Sequence, residues 1–410
     1  MSSATTQVSK TQHFLELEEL YGAHNYHPLP VVLTKGKGVY VWDVDDRRYY
    51  DFLSGYSAIN QGHCHPRIIE TFIEQAQRLT LTSRAFHSDA LAEYSEFMSK
   101  FFGYDKVLPM NTGVEAVETG LKLARRWGYE VKGVHQNKAK IITCAANFHG
   151  RTISVISFST DDSSRKDFGP FTPGFEVIPY NDIPALRNAL QDENVIAFLV
   201  EPIQGEAGVI VPDEGYLSQA AAMCKAANVL LIADEIQTGL CRTGKMLACD
   251  HEGVRPDILL LGKALSGGTM PVSAVLADDE IMLTIKPGDH GSTYGGNPLA
   301  CKVAMTALQV LVDEQMAENS VVQGEHLRKE LMAMGHEHIA VVRGKGLFNA
   351  IVIEHPKKDT AWDICIQMKQ NGLLAKPTHG DRIRFAPPLL ISRAQIDECI
   401  GIIKKSMEQI

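Results

Sequence analysis

Several things are missing from this chain, and each absence narrows what it can be. No apolar run approaches the roughly eighteen residues of a membrane span, so a bilayer is not its expected environment. Basic residues are not in excess. Lys and Arg number 40 against 49 Asp and Glu, and a net charge of -9 repels a phosphate backbone, so nucleic acid is not an expected partner. The eight cysteines lack a CxxC pair and the even spacing of a disulfide framework, which suits reduced thiols. Cys241 and Cys249 could pair as a redox switch, but free thiols are the simpler expectation. His63-Cys64-His65 has the residue types of a metal site, yet neighbouring residues on a strand point apart and no second cluster completes it, so no metal is expected. The opening MSSATTQVSKTQHFLELEEL has no apolar core, and no arginine precedes Arg47. Neither secretory nor mitochondrial targeting is encoded, and the cytoplasm is the expected location. Repeats and low-complexity segments are absent too.

What is present is an ordinary globular composition at a length of 410 residues, long enough for two domains. Between about residues 105 and 280, short apolar runs alternate with amphipathic stretches: KIITCA (140–145), VIAFLVE (195–201), VLLIADE (229–235) and DILLLGK (257–263). Continuous apolar runs mark parallel strands covered on both faces, so the fold class is α/β with a mostly parallel sheet. VYVWDVDDRRYYDF (39–52) reads as a hairpin around Asp45-Asp46, and long helices alternate with short strands beyond about residue 300. The expected division is an N-terminal segment, 1–55, that joins a small α+β domain at 294–410, with a large domain at 56–293 between them.

Ligands of such sheets sit beyond the carboxyl ends of the strands. The residues there are Glu201 and Pro202, then Asp234 and Glu235, then Lys263, so three charged groups could converge on one crevice. A lysine with its stem over apolar neighbours and its charge in water is the plain reading of Lys263. The sharper one is a desolvated amine of lowered pKa, able to form a Schiff base. In NTGVEAVETGLKLARRWG, Thr112 and Glu115 form a capping box, and Gly113 lets a ligand approach the free N–H groups of the helix start. A helix start with no ligand reads equally well from this segment alone. Pyridoxal 5'-phosphate needs a Schiff-base lysine, an acid on its ring nitrogen and a phosphate cradle, and Lys263, Asp234 and the Thr112 helix start supply one of each.

The motifs NTGVEA, FHGRT, EPIQGEAG, ADEIQTG, LLLGKALSGG, HGSTYGGNP and DRIRFAPPL, joined by YGAHNYHPLP and SGYSAINQGHCHP, resemble the class III pyridoxal-phosphate aminotransferases from about residue 20 to the C-terminus. The resemblance implies the fold type I architecture, with Lys263 carrying the cofactor and then serving as proton carrier, and Asp234 keeping the ring nitrogen protonated. It places Gln237 beside the ring hydroxyl, Phe148 on the ring face with His149 next to it, and Thr112, Gly113 and Val114 at the phosphate. Thr293 matches a hydroxyl that reaches the neighbouring subunit's phosphate, which implies a homodimer. His149 departs from the pattern, since a bulkier aromatic often follows the stacking Phe, and Met270 stands where a tyrosine is expected.

The implied substrates are ornithine, donating its terminal amine, and 2-oxoglutarate, which becomes glutamate. Arg151 and Tyr26 match the partners of the ornithine α-carboxylate and α-ammonium. Arg384 matches the arginine for the α-carboxylate of 2-oxoglutarate, Glu206 the acid that masks it, and Tyr56 a pocket wall. Bidentate guanidinium suits this duty, although each arginine alone reads equally as a surface ion pair. Another ω-aminotransferase, acting on N-acetylornithine or 4-aminobutyrate, remains an alternative. Tyr26 and Tyr56 speak against it, because only a free α-ammonium calls for a polar partner. A nicotinamide dehydrogenase is weaker, for no GxGxxG follows an early strand, and an intact Lys263 and Asp234 speak against a catalytically dead scaffold.

Overall fold

A computed structural model describes residues 9–410. Leu33–Lys37 (β1), Tyr40–Asp43 (β2) and Arg48–Asp51 (β3) form an antiparallel meander. The expected turn forms because Asp43 Oδ1 accepts the amides of Asp45 and Arg47 at 3.0 and 2.9 Å.

The central sheet contains Lys106–Met110 (β4), Lys140–Cys144 (β5), Phe175–Ile178 (β6), Val195–Val200 (β7), Leu230–Asp234 (β8), Ile258–Leu261 (β9) and Ser273–Ala277 (β10). Their order is β4-β10-β9-β8-β7-β5-β6, with β10 antiparallel to both neighbours and the other pairs parallel. This is the α/β fold with a mostly parallel sheet that the apolar runs imply. β7, β8 and β9 are buried at every residue, so helices must cover both faces. Alternate residues enter opposite layers: Leu259, Leu261 and Leu231 pack into one core, Ile258, Leu260 and Ile232 into the other. The helix Gly113–Glu130 lies so close that a Cβ on Gly128 would meet Ile196 Cγ2 at 2.5 Å.

Four C-terminal strands, Ile339–Lys345 (β11), Phe348–Ile353 (β12), Lys376–Thr378 (which follows Leu373–Leu374, β13, and is therefore β14) and Arg382–Phe385 (β15), make an antiparallel sheet in the order β11-β12-β15-β14. β13 instead pairs in parallel with β3, so the chain's early and late segments meet in one small sheet. Adjacent parallel strands put their carboxyl ends side by side, which gathers Glu201, Asp234 and Lys263 at one edge of the central sheet. Arg384, carried by β15, faces them.

Candidate active site

One cavity of about 200 Å³ is lined by Glu201, Asp234 and Lys263, so the three strand ends do converge. Gly113, Val114, Phe148, His149 and Gln237 line the same cavity. Thr112 lies at its edge as the cap of the Gly113–Glu130 helix. Its Oγ1 accepts the Glu115 amide at 3.4 Å, while Glu115 Oε2 accepts the Thr112 amide at 2.6 Å. Gly113 is tight, since an added Cβ would meet Ile236 Cγ2 at 3.1 Å.

Lys263 starts a short 3-10 turn with φ +44, a left-handed conformation that a lysine adopts only under constraint from its surroundings. Burial lowers the pKa of its amine, Glu206 and Asp234 push it back up, and Arg384 opposes them; the net shift is downward. Lys263 is half-buried and its side chain lines the cavity, so the plain surface reading does not hold. Asp234 is held from two sides: Oδ1 accepts the Ile236 amide at 3.1 Å, and Oδ2 meets His149 Nδ1 at 2.7 Å.

Glu206 Oε1 lies 2.6 Å from Arg384 Nη1, in a pair whose side chains are 21% and 5% exposed. Gln237 Nε2 reaches the same oxygen at 3.4 Å and the Tyr56 carbonyl at 3.3 Å. Burial raises the Glu206 pKa, but Arg384, Lys263 and Gln237 together outweigh it and keep the carboxyl below its usual range. The guanidinium lies 5.2 Å from the Tyr56 ring, and its Nε is buried without a partner. Tyr56 sits in a run of left-handed residues, Ser54, Gly55, Tyr56 and Ser57. Such backbone costs about 1–2 kcal/mol per non-glycine residue. Asp51 Oδ1 offsets part of that cost by accepting the Leu53 and Ser54 amides at 2.9 and 2.8 Å.

A second cavity of about 390 Å³ adjoins the first, sharing Phe148 and His149, and is lined by Arg151, Glu206 and Asp161. Arg151 lies 5.2 Å from the Phe148 ring and 3.9 Å from Asp161. Two expected residues stand at the margin, although Tyr26 is near enough to help burial and Glu206 raise the pKa of the Tyr56 hydroxyl. Tyr26 is 69% exposed and lines neither cavity. Thr293 is exposed on a loop tied to the helix start by Asn111 Nδ2 and Ser292 Oγ at 2.9 Å. The histidines of His63-Cys64-His65 pair separately, with Asp51 and Glu314 at 2.8 and 2.9 Å. All eight cysteines, Cys241 and Cys249 included, are free thiols.

Glu201 is the strand-end acid to which the motifs assign no role. It is buried, and it accepts the amides of Phe148 and Gly205 at 2.9 and 3.3 Å, joining the two loops that carry Arg151 and Glu206. The available signal was an acid directly after a wholly apolar run. Burial pushes its carboxyl up to about 7, with Asp234 adding and His149 opposing. A carboxyl raised from 4.5 binds its proton more tightly folded than unfolded, so its contribution to stability is full below about pH 4.5 and is lost as pH rises through about 7. Glu201→Gln cannot ionise and should flatten that loss in cofactor-free protein, by roughly 3 kcal/mol at most. Urea midpoints at pH 5 and 8.5 check it; an unchanged pH dependence in the variant rules it out.

The family described as Aminotransferase class-III matches residues 21–407. The chain belongs to the class III aminotransferases. This class III aminotransferase is 61% identical to the rat protein named "Ornithine aminotransferase, mitochondrial", over 99% of the chain and 94% of that protein. Its structure matches the ornithine aminotransferase of Toxoplasma gondii with a TM-score of 0.97 at 50% identity, covering 98% and 95% of the two chains. It also matches the acetylornithine aminotransferase of Elizabethkingia anophelis, with a TM-score of 0.90 at 55% identity over 98% and 100%. Fold type I is thereby the architecture of this class III aminotransferase, and among its described residues no helix is long and apolar enough to cross a membrane.

Proposed function

We propose that the chain binds pyridoxal 5'-phosphate and transfers the δ-amino group of L-ornithine to 2-oxoglutarate. The products are glutamate 5-semialdehyde, which cyclises, and L-glutamate. The residues fit the cofactor on three counts: a lysine amine of lowered pKa, a carboxylate anchored from two sides, and a helix start at Gly113 that lines the same cavity. When bound, pyridoxal phosphate supplies an electron sink for the carbon that loses its proton.

The chain's own residues do the rest. Lys263 would hold the cofactor through its amine, and that amine would carry the proton at the substrate's amine-bearing carbon. Asp234 would keep the ring nitrogen protonated, Gln237 would serve the ring hydroxyl, Phe148 would cover a ring face with His149 next to it, and Thr112, Gly113 and Val114 would receive the phosphate. Arg151 grips the ornithine α-carboxylate with Tyr26 at the α-ammonium, Tyr56 walls the pocket, and Arg384 takes the α-carboxylate of 2-oxoglutarate.

The observation that carries this reading is the Glu206–Arg384 pair at 2.6 Å. An enzyme that takes a terminal amine in one half-reaction and an α-amine in the other must hide its α-carboxylate arginine half of the time, and this pair can do so. The likeness to an acetylornithine aminotransferase favours N-acetylornithine as the second candidate donor. Purified protein should convert ornithine and 2-oxoglutarate to glutamate and a cyclising semialdehyde, faster than it uses N-acetylornithine or 4-aminobutyrate. A preference for either of those donors overturns the assignment.

We read the active unit as a homodimer. The helix Lys10–Tyr21 buries none of its residues, with Leu20 and Tyr21 bare on it, and Tyr294 next to Thr293 is exposed as well. Those surfaces suit a second copy, which would bring Thr293 to its neighbour's phosphate; sedimentation at equilibrium decides it. The small domain is read as built from both termini, supported by the β3–β13 pairing. Unpaired thiols, seven of eight of them buried, support a reducing compartment such as the cytoplasm.

A further inference from the structure

The cavity of about 390 Å³ carries charged side chains of both signs: Arg151, Asp161, Asp162, Glu206, His379 and Arg382. Glu206 is taken up by Arg384, and Asp162 is exposed. Asp161 is the acid that faces Arg151, with 3.9 Å between its Oδ2 and the guanidinium Nη1. It lies outside every motif that carries the family resemblance.

The backbone and one carboxylate oxygen of Asp161 are engaged. Its amide donates to Ser159 Oγ at 3.1 Å, and its carbonyl accepts the Ser164 amide at 3.1 Å and hydroxyl at 2.9 Å. Oδ1 accepts the amide and hydroxyl of Ser163 at 3.0 and 2.7 Å, which is all that capping the short helix Asp162–Arg165 requires. Among the described residues Oδ2 meets only Arg151, at a separation longer than a hydrogen bond, and the two side chains are 38% and 60% exposed. Burial raises the Asp161 pKa, but the Ser163 hydrogen bonds and the charges of Arg151 and His379 outweigh it and keep the carboxyl below its usual range. A firmly held carboxylate thus offers one free oxygen beside a guanidinium.

A cation and an anion held side by side complement an α-amino acid end, which carries carboxylate and ammonium on one carbon. Arg151 answers the carboxylate. Tyr26, which does not line the cavity, can give the ammonium a hydroxyl but no charge. N-acetylornithine brings a neutral amide to that place and 4-aminobutyrate brings no nitrogen, so either donor takes water from the carboxylate without replacing it by a cation.

We propose that Asp161 is a specificity-determining residue whose Oδ2 accepts the α-ammonium of ornithine while Arg151 takes the α-carboxylate, so that the pair selects a free α-amino acid end. The proposal rests on the reading of Arg151 as the holder of that carboxylate.

The test compares single-turnover kcat/KM for ornithine, N-acetylornithine and glutamate in the loaded wild type, Asp161→Asn, Asp161→Ala and Arg151→Gln. Asparagine keeps the shape and the cap on Ser163 and loses the charge. Its value for ornithine should fall roughly tenfold, the lower end for a charge-assisted hydrogen bond because the pair is partly exposed, while N-acetylornithine use should hold or improve. Glutamate use should not fall, since its far end is a carboxylate. An Asp161→Asn variant that keeps the wild-type ratio of ornithine to N-acetylornithine overturns the proposal. So does equal slowing with all three substrates, or a loss confined to Asp161→Ala, since both mark the cap and not the charge. If wild type does not prefer ornithine to N-acetylornithine, or Arg151→Gln leaves ornithine use unchanged, the underlying reading falls and this proposal with it; if both hold and Asp161→Asn keeps the preference, only the proposal falls.

Discussion

Lys263→Ala should lower aminotransfer roughly 10⁴-fold or more while pyridoxal phosphate still binds weakly. The change removes two functions together, the amine that holds the cofactor and the group that moves the proton, and proton transfer by a positioned side chain is alone worth about 10²–10⁴. Residual binding follows because Gly113 and Val114, at the free N–H end of the helix Gly113–Glu130, do not depend on the lysine. Another lysine cannot take over: Lys263 is the one lysine lining the cavity. Its burial keeps the free amine available, and its strained φ of +44 aims it. Borohydride reduction of the loaded wild type, followed by peptide mapping, should label Lys263. A label elsewhere, or an alanine variant within tenfold of wild type, contradicts the assignment.

Glu206→Gln should shift the balance between the two half-reactions by roughly ten- to a hundredfold towards glutamate, the loss expected for one charge-assisted hydrogen bond. Glu206 stays ionised because Arg384, with Lys263 and Gln237, outweighs the cost of its burial, so the carboxylate competes with any substrate carboxylate for the same guanidinium. Glutamine keeps the shape and loses the charge. Arg384 is then open in both half-reactions, and its unpaired Nε adds a further donor for a carboxylate. Ornithine would bind increasingly by its α-end, with its terminal amine away from the reacting centre. Single-turnover titrations with ornithine and with glutamate read the two rates separately. Equal slowing of both means that Glu206 only holds the pocket together.

Much of the central fold was open to reading because burial on both faces demands unbroken apolar runs. The four runs recognised in the chain are β5, β7, β8 and β9, contiguous in the sheet. The three strands without that signature are the edge strands β4 and β6, which are partly exposed, and β10, whose SAVLA is too small and mixed to stand out. The capping box at Thr112 was legible for a different reason: it is purely local, two side chains three residues apart answering each other's amides. The left-handed turn carrying Tyr56 was not, since SGYS has no local reason to adopt it. Asp51 and the packing around the turn impose it.

The sequence by itself determined the α/β class, the strand ends that carry chemistry and, through its motifs, the family. These depend on periodicity and residue type, which a chain displays without folding. Tertiary structure alone decided which charges meet. Glu206 and Arg384 are 178 residues apart and His149 and Asp234 are 85 apart, yet each pair closes to hydrogen-bond distance. Glu201 acquires its raised pKa only once helices and loops have removed the water around it. Desolvation and partner geometry are properties of the packed molecule, because both depend on what lies in space around a group and not on what lies beside it in the chain.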